Sequence, residues 1–287
     1  MLKAQKLTLA VLISAAIISS AQASEQSEAK GFVEDANGSI LFRTGYLTRD
    51  KKQGAKDTSS VAQSAIVSIE SGFTPGIVGF GVGVVGDGSF KIGENKNAGN
   101  QMIPKHNDGS AYDHWARGGA SVKARVSNTT VEYGTQVLDL PVLASNTARM
   151  VPEYFEGTLI KSREIKDLEV IAGKFTKNQY SDQINSDGRH LDNAIVWGAK
   201  YKFDDQLNAS YYGLDSEDKL ERHYINANYT LPLAEKRSLT LDFNGYHTKW
   251  DKQAGTYSST LGNKDVDGRS NSIWSLSGTL NQGAHSV

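Results

Sequence analysis

The sequence predicts an all-β protein: an antiparallel, up-and-down transmembrane β-barrel of the porin type. Three observations predict it. Apolar and polar residues alternate with period two along the chain, and helical periodicity is almost absent after residue 24. Short and long connectors take turns between the alternating segments, as expected of hairpins with tight turns at one rim and large loops at the other. The composition is lean for a soluble core, with 38% hydrophobic residues, 28 glycines and 5 prolines. It suits a wall whose apolar side faces lipid and whose inside is polar.

Met1–Ala23 reads as a secretory signal peptide. Lys3 and Lys6 form the charged start, Leu7–Ser19 the apolar core, and Ala21-Gln22-Ala23 a small-x-small cleavage site. The apolar run is too short to cross a membrane as a helix. Residues 24–287 read as one barrel domain. The first strand falls at about Ser39–Leu47, with Ile40, Phe42, Thr44 and Tyr46 opposing Leu41 and Arg43. The second is about Val61–Gly72. The third, about Ile77–Ile92, sets Val78, Phe80, Val82 and Val84 against Gly79, Gly81 and Gly83. Those glycines are expected to leave room for an inward-folded loop. The fourth, Gly118–Ser127, sets Ala120, Val122, Ala124 and Val126 against Ser121, Lys123 and Arg125. Val131 and Tyr133 then oppose Thr130 and Glu132, and a strand resumes at Gly157. Later, Ala194–Phe203 and Arg222–Leu231 alternate most clearly, and the last strand lies near Ser272–Leu280.

Short connectors are read at Thr74–Gly76, Asn128, Glu164–Asp167, Asp204–Gln206 and Pro232–Lys236. Long ones are read at Thr48–Ser60, Gly93–Arg117, Leu138–Glu156, Thr176–Asn193 and Trp250–Ser270, with Asp215–Glu221 intermediate. Alternation alone also fits a soluble β-sandwich. The regular order of connectors favours the barrel, and Trp197, Tyr201, Tyr229, Trp250 and Trp274 near strand ends fit interfacial girdles. About twelve strands are counted in all. A barrel must close, or its edge leaves unpaired backbone groups in lipid at several kcal/mol each. Either about twelve strands close on themselves, or the chain is the N-terminal part of a larger barrel. The second is the expectation.

Without Met1–Ala23 the chain keeps 29 of its 31 basic residues and all 32 acidic ones, a net charge of −3. That argues against a nucleic-acid partner. The chain contains no cysteine, so disulfides and thiol chemistry are excluded. No cofactor is implied; the expected partners are outer-membrane lipid and small anionic or zwitterionic solutes. The candidate site centres on Thr130–Gly157. Its middle is too long and too apolar for an ordinary surface loop, with Leu138, Leu140, Pro141, Val142 and Leu143 before Arg149. The economical reading is a loop folded into the cavity, carrying a fixed positive charge. Arg149 there can pair bidentately with a carboxylate, or serve as a structural ion-pair partner. Face parity puts Arg43, Lys123, Arg125, Lys200, Lys202 and Arg222 on the polar face, where cations would concentrate anions. Glu132 and Asp242 share that parity, and Glu153 and Asp139 share the loop with Arg149 as candidates for a solute's amino group.

At these residues the sequence resembles the OprD family of substrate-specific outer-membrane porins. The resemblance is carried by Ala29–Asp35, by Tyr46–Asp50 with its Arg49, by Ser71–Gly76 with Val78–Val82, and by Pro141-Val142-Leu143 followed by Ala148–Pro152. It continues through Ala172–Phe175, Ser210–Gly213, Glu217-Asp218 and Asn228–Leu233 to Trp274-Ser275-Leu276. It implies a monomeric eighteen-stranded barrel whose third extracellular loop folds inward and narrows the pore. It also implies a ladder of basic side chains guiding small carboxylate-bearing solutes, such as amino acids and related nutrients, and in some members carbapenems. Arg149 matches the constriction-loop arginine. The candidate solute-binding or constriction set is then Arg149, Arg43, Arg49, Lys123, Arg125, Arg222 and Glu153.

Other motifs carry less. Gly81–Gly86 fits G-x-G-x-x-G but lies within a strand and runs into Asp87-Gly88, with no helix after it. Asp265-x-Asp267-Gly268 lacks the later glutamate of a calcium loop, and His106 and His114 show no metal-ligand spacing. An outer-membrane hydrolase would need His190, His223 or His247 with an aspartate and a serine, but no G-x-S-x-G elbow is present. The histidine credited with peptidase activity in the resembling family falls at Lys174. The expectation is a passive porin and not an enzyme. The alternatives are a non-conducting structural or surface-interaction barrel and, behind it, the hydrolase.

Overall fold

The computed structural model describes residues 24–52, 56–93, 102–185, 191–252, 254, 256–259, 262–283 and 285–286. The signal peptide and His190 lie outside them. The wall begins with β1 (Asn37–Arg49), β2 (Thr58–Glu70), β3 (Val78–Lys91), β4 (His114–Val126) and β5 (Thr129–Gln136). Two short strands follow, β6 (Asp139–Leu140) and β7 (Leu143–Ala144). The wall resumes with β8 (Tyr154–Ser162), β9 (Leu168–Gln179), β10 (Ala194–Lys202), β11 (Leu207–Ser216), β12 (Leu220–Ala234) and β13 (Arg237–Trp250). A hairpin of β14 (Thr256–Ser259) and β15 (Gly262–Asp265) then precedes β16 (Ser270–Gln282) and β17 (His285–Ser286).

Each wall strand pairs antiparallel with its neighbours in sequence, giving one thirteen-stranded sheet that runs from β1 to β17. The remaining ladders, β6–β7 and β14–β15, are two-stranded. No second large sheet packs on the first among the described residues, so the sandwich alternative falls. The sheet is open: β1 and β17 stand at its two ends. Burial is inverted relative to a soluble protein. Ser60, Ser64, Ser89 and Ser121 are buried, whereas Phe42 and Trp274 are each 72% exposed and Phe80 and Val122 each 58%. Only lipid makes such an outer face favourable.

The strands run longer than the sequence signals indicate. β1 extends two residues at each end of Ser39–Leu47, reaching Arg49. β4 begins at His114, which moves Arg117 from the expected connector into the wall. Gly118, the expected start of that strand, is a point of close strand approach. Gly118 pairs with Gly86, and a Cβ there would lie 2.5 Å from the Val85 carbonyl oxygen. Tight turns close one rim, with Ser127 (φ 53°) and Lys236 (φ 60°) taking left-handed backbone.

Segment 24–36 covers the inner side of that rim. Gln26, 3% exposed, donates through Nε2 to the carbonyls of Thr74 (2.9 Å) and Gly76 (3.1 Å), and its amide donates to Ser127 O (3.0 Å). A Cβ on Gly79 would lie 2.2 Å from Gln26 Oε1. Glu70 and Ser121 take the room beside Gly83 in the same way. The inward glycines of β3 therefore make space for the N-terminal segment and a wall carboxylate, and not for the folded-in loop as expected. The loop instead rests on larger side chains.

What fixes the loop to the wall is a buried charge network. Arg117 and Asp87 have side chains with 0% exposure. Arg117 Nη2 donates to Asp87 Oδ2 (2.8 Å) and to Pro152 O (2.7 Å), and Nη1 donates to Tyr180 O (2.6 Å). The Tyr154 hydroxyl donates to Asp87 Oδ2 (2.8 Å), and the guanidinium sits 5.0 Å from the Tyr154 ring centre. β3, β4, β8 and two loops converge on one cation. Arg117→Met strands the Asp87 carboxylate, at a cost of about 3–5 kcal/mol. The expected result is faster proteolytic cleavage within residues 137–153 in vesicles, largely reversed by adding Asp87→Leu. Parent-like cleavage of the single variant would show that the network does not hold the loop.

Candidate functional site

Residues 137–153 leave β5 and cross the lumen. The first half folds as a small hairpin, with Ser145 N donating to Leu138 O (2.8 Å) and Leu138 N donating to Ser145 Oγ (2.9 Å). Its apolar residues decide where it lies. Leu138 (4% exposed) and Val142 (3%) pack with Phe155, Phe175, Val196 and Tyr212 on the inner faces of β8–β11. The Tyr246 hydroxyl of β13 donates to Pro141 O (3.3 Å). Each fully buried aliphatic side chain contributes about 1.5–3 kcal/mol toward offsetting the ordering entropy of the hairpin.

The second half is held on the opposite side. Met150 and Val151 are buried with Met102, Ile103, Trp115 and Ala62, so the loop 102–113 packs against the crossing segment. That outer loop is itself tied to the rim by Lys91 Nζ on Asp113 Oδ1 (2.7 Å), whose hydrogen bond and charge hold the Asp113 carboxyl below the usual carboxylate range. The loop is thus a strap anchored at both ends, with a polar turn between. In that turn Asn146 N donates to Glu153 Oε2 (3.3 Å), and Asn178 Nδ2 donates to Glu153 Oε1 (2.7 Å). Glu153 is 8% exposed and occupied in bracing the strap. Asp139 is exposed and lines the chamber described below.

The candidate cations fall into three groups. Arg43 Nη1 donates to Thr147 O (3.0 Å) and to Arg149 O, so it clamps the strap to β1. Lys123 pairs with Glu70 and lies 5.4 Å from the Phe73 ring centre. Arg125 stacks on the same ring at 4.0 Å, donates to Gln26 Oε1 (3.1 Å) and approaches Glu25 (4.0 Å). Lys202 pairs with Asp205 in a tight turn (2.6 Å). These four are occupied. Arg49 is exposed at the end of β1. The Arg149 guanidinium and the exposed Lys200 amine have no ion-pair or hydrogen-bond partner among the described residues. Arg222 has no acidic partner among them; its Nε donates only to Thr248 Oγ1 (3.1 Å).

Between the strap and the wall of β2, β3, β5 and β8 lies a chamber of about 470 Å³, lined among others by Glu70, Glu132, Asp139, Leu140, Pro152 and Lys161. A smaller cavity of about 240 Å³ lies against β1 and holds Arg43 and Arg149. Sequence reasoning missed Asp87, Arg117, Glu70 and Lys161. Parity carried a signal for Asp87, which shares the inward set of Gly79, Gly81 and Gly83. For Lys161 the signal was the run of β8 from Gly157, whose odd residues pair with the inward set of β5.

A family model described as outer membrane porin, OprD family, matches residues 30–287. Porin D of Pseudomonas aeruginosa is 35% identical over 277 residues, covering 93% of this chain and 60% of that protein. The crystal structure of Acinetobacter baumannii OccAB1 superposes with a TM-score of 0.83 at 76% identity, covering 92% of this chain and 66% of that one. The structure of Pseudomonas aeruginosa OpdK with vanillate superposes at 0.72 with 25% identity, covering 89% and 66%. The chain therefore spans about 60% of the length of Porin D. With an open antiparallel wall, an apolar outer face, a strap across the lumen and a family match over residues 30–287, the chain belongs to the OprD family of outer membrane porins.

Proposed function

We propose that this chain builds the strap-constricted part of a passive outer-membrane pore for small carboxylate-bearing solutes. The observation that carries the reading is Arg149. A cation without a partner among the described residues sits on a segment buried at both ends. It is held in place, its guanidinium makes no hydrogen bond among the described residues, and a carboxylate fits its planar fork. The relative OpdK was crystallised with vanillate, a carboxylate. Amino acids and related zwitterions fit the same chemistry. Their carboxylate would meet Arg149 and Arg222, and their ammonium group would face Glu132 and Asp139 in the adjoining chamber. Carbapenems carry the same carboxylate.

The occupied cations take a different part in this reading. Arg43 sets the strap's height, and Lys123 and Arg125 shape the inner mouth with segment 24–36. Diffusion needs no cofactor and no energy coupling. A non-conducting barrel would have no use for a rigid arginine in its lumen with no acidic partner among the described residues, because each fixed charge raises the energy of the folded state.

Two substitutions test the reading. Arg149→Ala in planar bilayers is expected to raise single-channel conductance and weaken block by vanillate. Unchanged conductance together with unchanged block would remove the constriction role. Arg222→Ala takes a charge from the wall and leaves the strap alone. A unit charge about 8 Å from a passing ion is worth about 0.5 kcal/mol in water, a roughly two-fold change in local anion concentration. The reversal potential in a salt gradient is expected to shift toward the cation, with conductance little altered. A large conductance change without that shift would count against the wall-charge reading.

A further inference from the structure

The chain has three methionines and no cysteine. One is Met1. The other two, Met102 and Met150, come from different loops and meet over a single glycine. A Cβ on Gly45 would lie 2.8 Å from Met150 Sδ, 3.1 Å from Met102 Cε and 3.7 Å from Met102 Sδ. Gly45 is on β1, two residues from Arg43, whose guanidinium holds the strap carbonyls of Thr147 and Arg149. The only sulfur outside Met1 is therefore gathered where the strap meets the wall.

The surroundings are apolar but open to small molecules. Met102 is 8% exposed and Met150 3%, packed with Ile103, Val151, Trp115 and Ala62. Both also line the 240 Å³ cavity beside Arg43 and Arg149. That cavity is large enough to hold a water-sized solute against the thioethers. The same cluster holds an orphan: Trp115 Nε1 is buried and has no hydrogen-bond partner among the described residues. A buried donor left unmade costs about 1–3 kcal/mol. Thioether sulfur is only a weak acceptor, whereas a sulfoxide oxygen is a strong one.

We propose that Met102 and Met150 form an oxidation site for hypohalous acids, and that their conversion to sulfoxides releases the strap from β1. The sulfur lone pair attacks the electrophilic chlorine of hypochlorous acid, and hydroxide leaves. Water then adds at sulfur as chloride departs, and two protons are lost, one of them neutralising the hydroxide. The net change is thioether plus hypochlorous acid to sulfoxide, chloride and one proton. Sulfur loses two electrons and chlorine gains them. The new oxygen is polar and cannot stay against Gly45 and the aliphatic cluster without a donor. Turning to a donor such as Trp115 Nε1 withdraws the thioether from β1 and loosens the contact beneath the Arg43 clamp. The pore then widens. The inference rests on the constriction reading for that last effect alone.

The test uses the whole chain in lipid vesicles, treated with hypochlorous acid, with three readouts. Peptide mass spectrometry locates added oxygen, limited proteolysis follows cleavage within 137–153, and planar bilayers report conductance. The expected result is one oxygen on each of the Met102 and Met150 peptides, faster strap cleavage and higher conductance. Methionine sulfoxide reductases should return cleavage to its starting rate. The double variant Met102→Leu and Met150→Leu, near in volume, should lose the response. Oxygen on both methionines without faster cleavage overturns the proposal. So does an equal response in the double variant, or oxygen on neither peptide. An untreated chain that carries no current sinks the constriction reading, while the cleavage readout still decides the oxidation site.

Discussion

The arrangement depends on a buried cation whose donors are nearly all taken up. Arg117 has a carboxylate, two main-chain carbonyls and an aromatic face around it. Two of those groups belong to the wall, one to the end of the strap and one to a separate loop. A guanidinium is suited to this because its donors point in fixed, divergent directions. An ammonium group could replace the charge but not the geometry. The desolvation cost of such a pair is heavy, and apolar packing on both banks of the lumen helps to offset it. The strap therefore behaves as part of the wall, although by sequence it is a loop.

The seven candidate residues show how one parity rule gives several outcomes. Alternation assigns a face and nothing more. Arg43, Lys123, Arg125 and Arg222 share a face by that rule, yet their surroundings differ completely. Which of them keeps a bare charge depends on register and on distant segments. Lys123 meets Glu70 through a strand two removed along the sheet, and Arg125 meets Gln26 from a segment 99 residues away. Neither partner is legible in the local pattern. The strap itself was legible, because Leu138 and Val142 are too apolar for a solvated loop. So was the order of tight and long connectors. The start of β4 was not, since apolar Trp115 and charged Arg117 share one buried face, so His114–Arg117 lacks the apolar–polar alternation that marks a strand.

The composition reads differently once the sheet is seen. A chain with 38% hydrophobic residues would struggle to fill a soluble core. Here apolar residues do two separate jobs. One set, including Phe42, Phe80 and Trp274, covers the outside, where it faces lipid. A second set, much smaller, lies inside and exists only to seat the strap. The small interior is enough because closely spaced hydroxyls, such as Ser64 Oγ and Ser89 Oγ at 2.6 Å, satisfy one another along the wall.

The seat of Gln26 has a consequence for how the chain assembles. Its three backbone acceptors, Thr74, Gly76 and Ser127, sit in two hairpin turns that exist only after β2 has met β3 and β4 has met β5. The earliest residues of the described chain thus find their place only after the four strands that follow β1 have paired. Docking them closes a loop of about a hundred residues, and the entropy of that closure is small once the hairpins have already shortened the path. The N-terminal segment works as a latch on the first five wall strands, and its burial is a marker that they have been laid down in register.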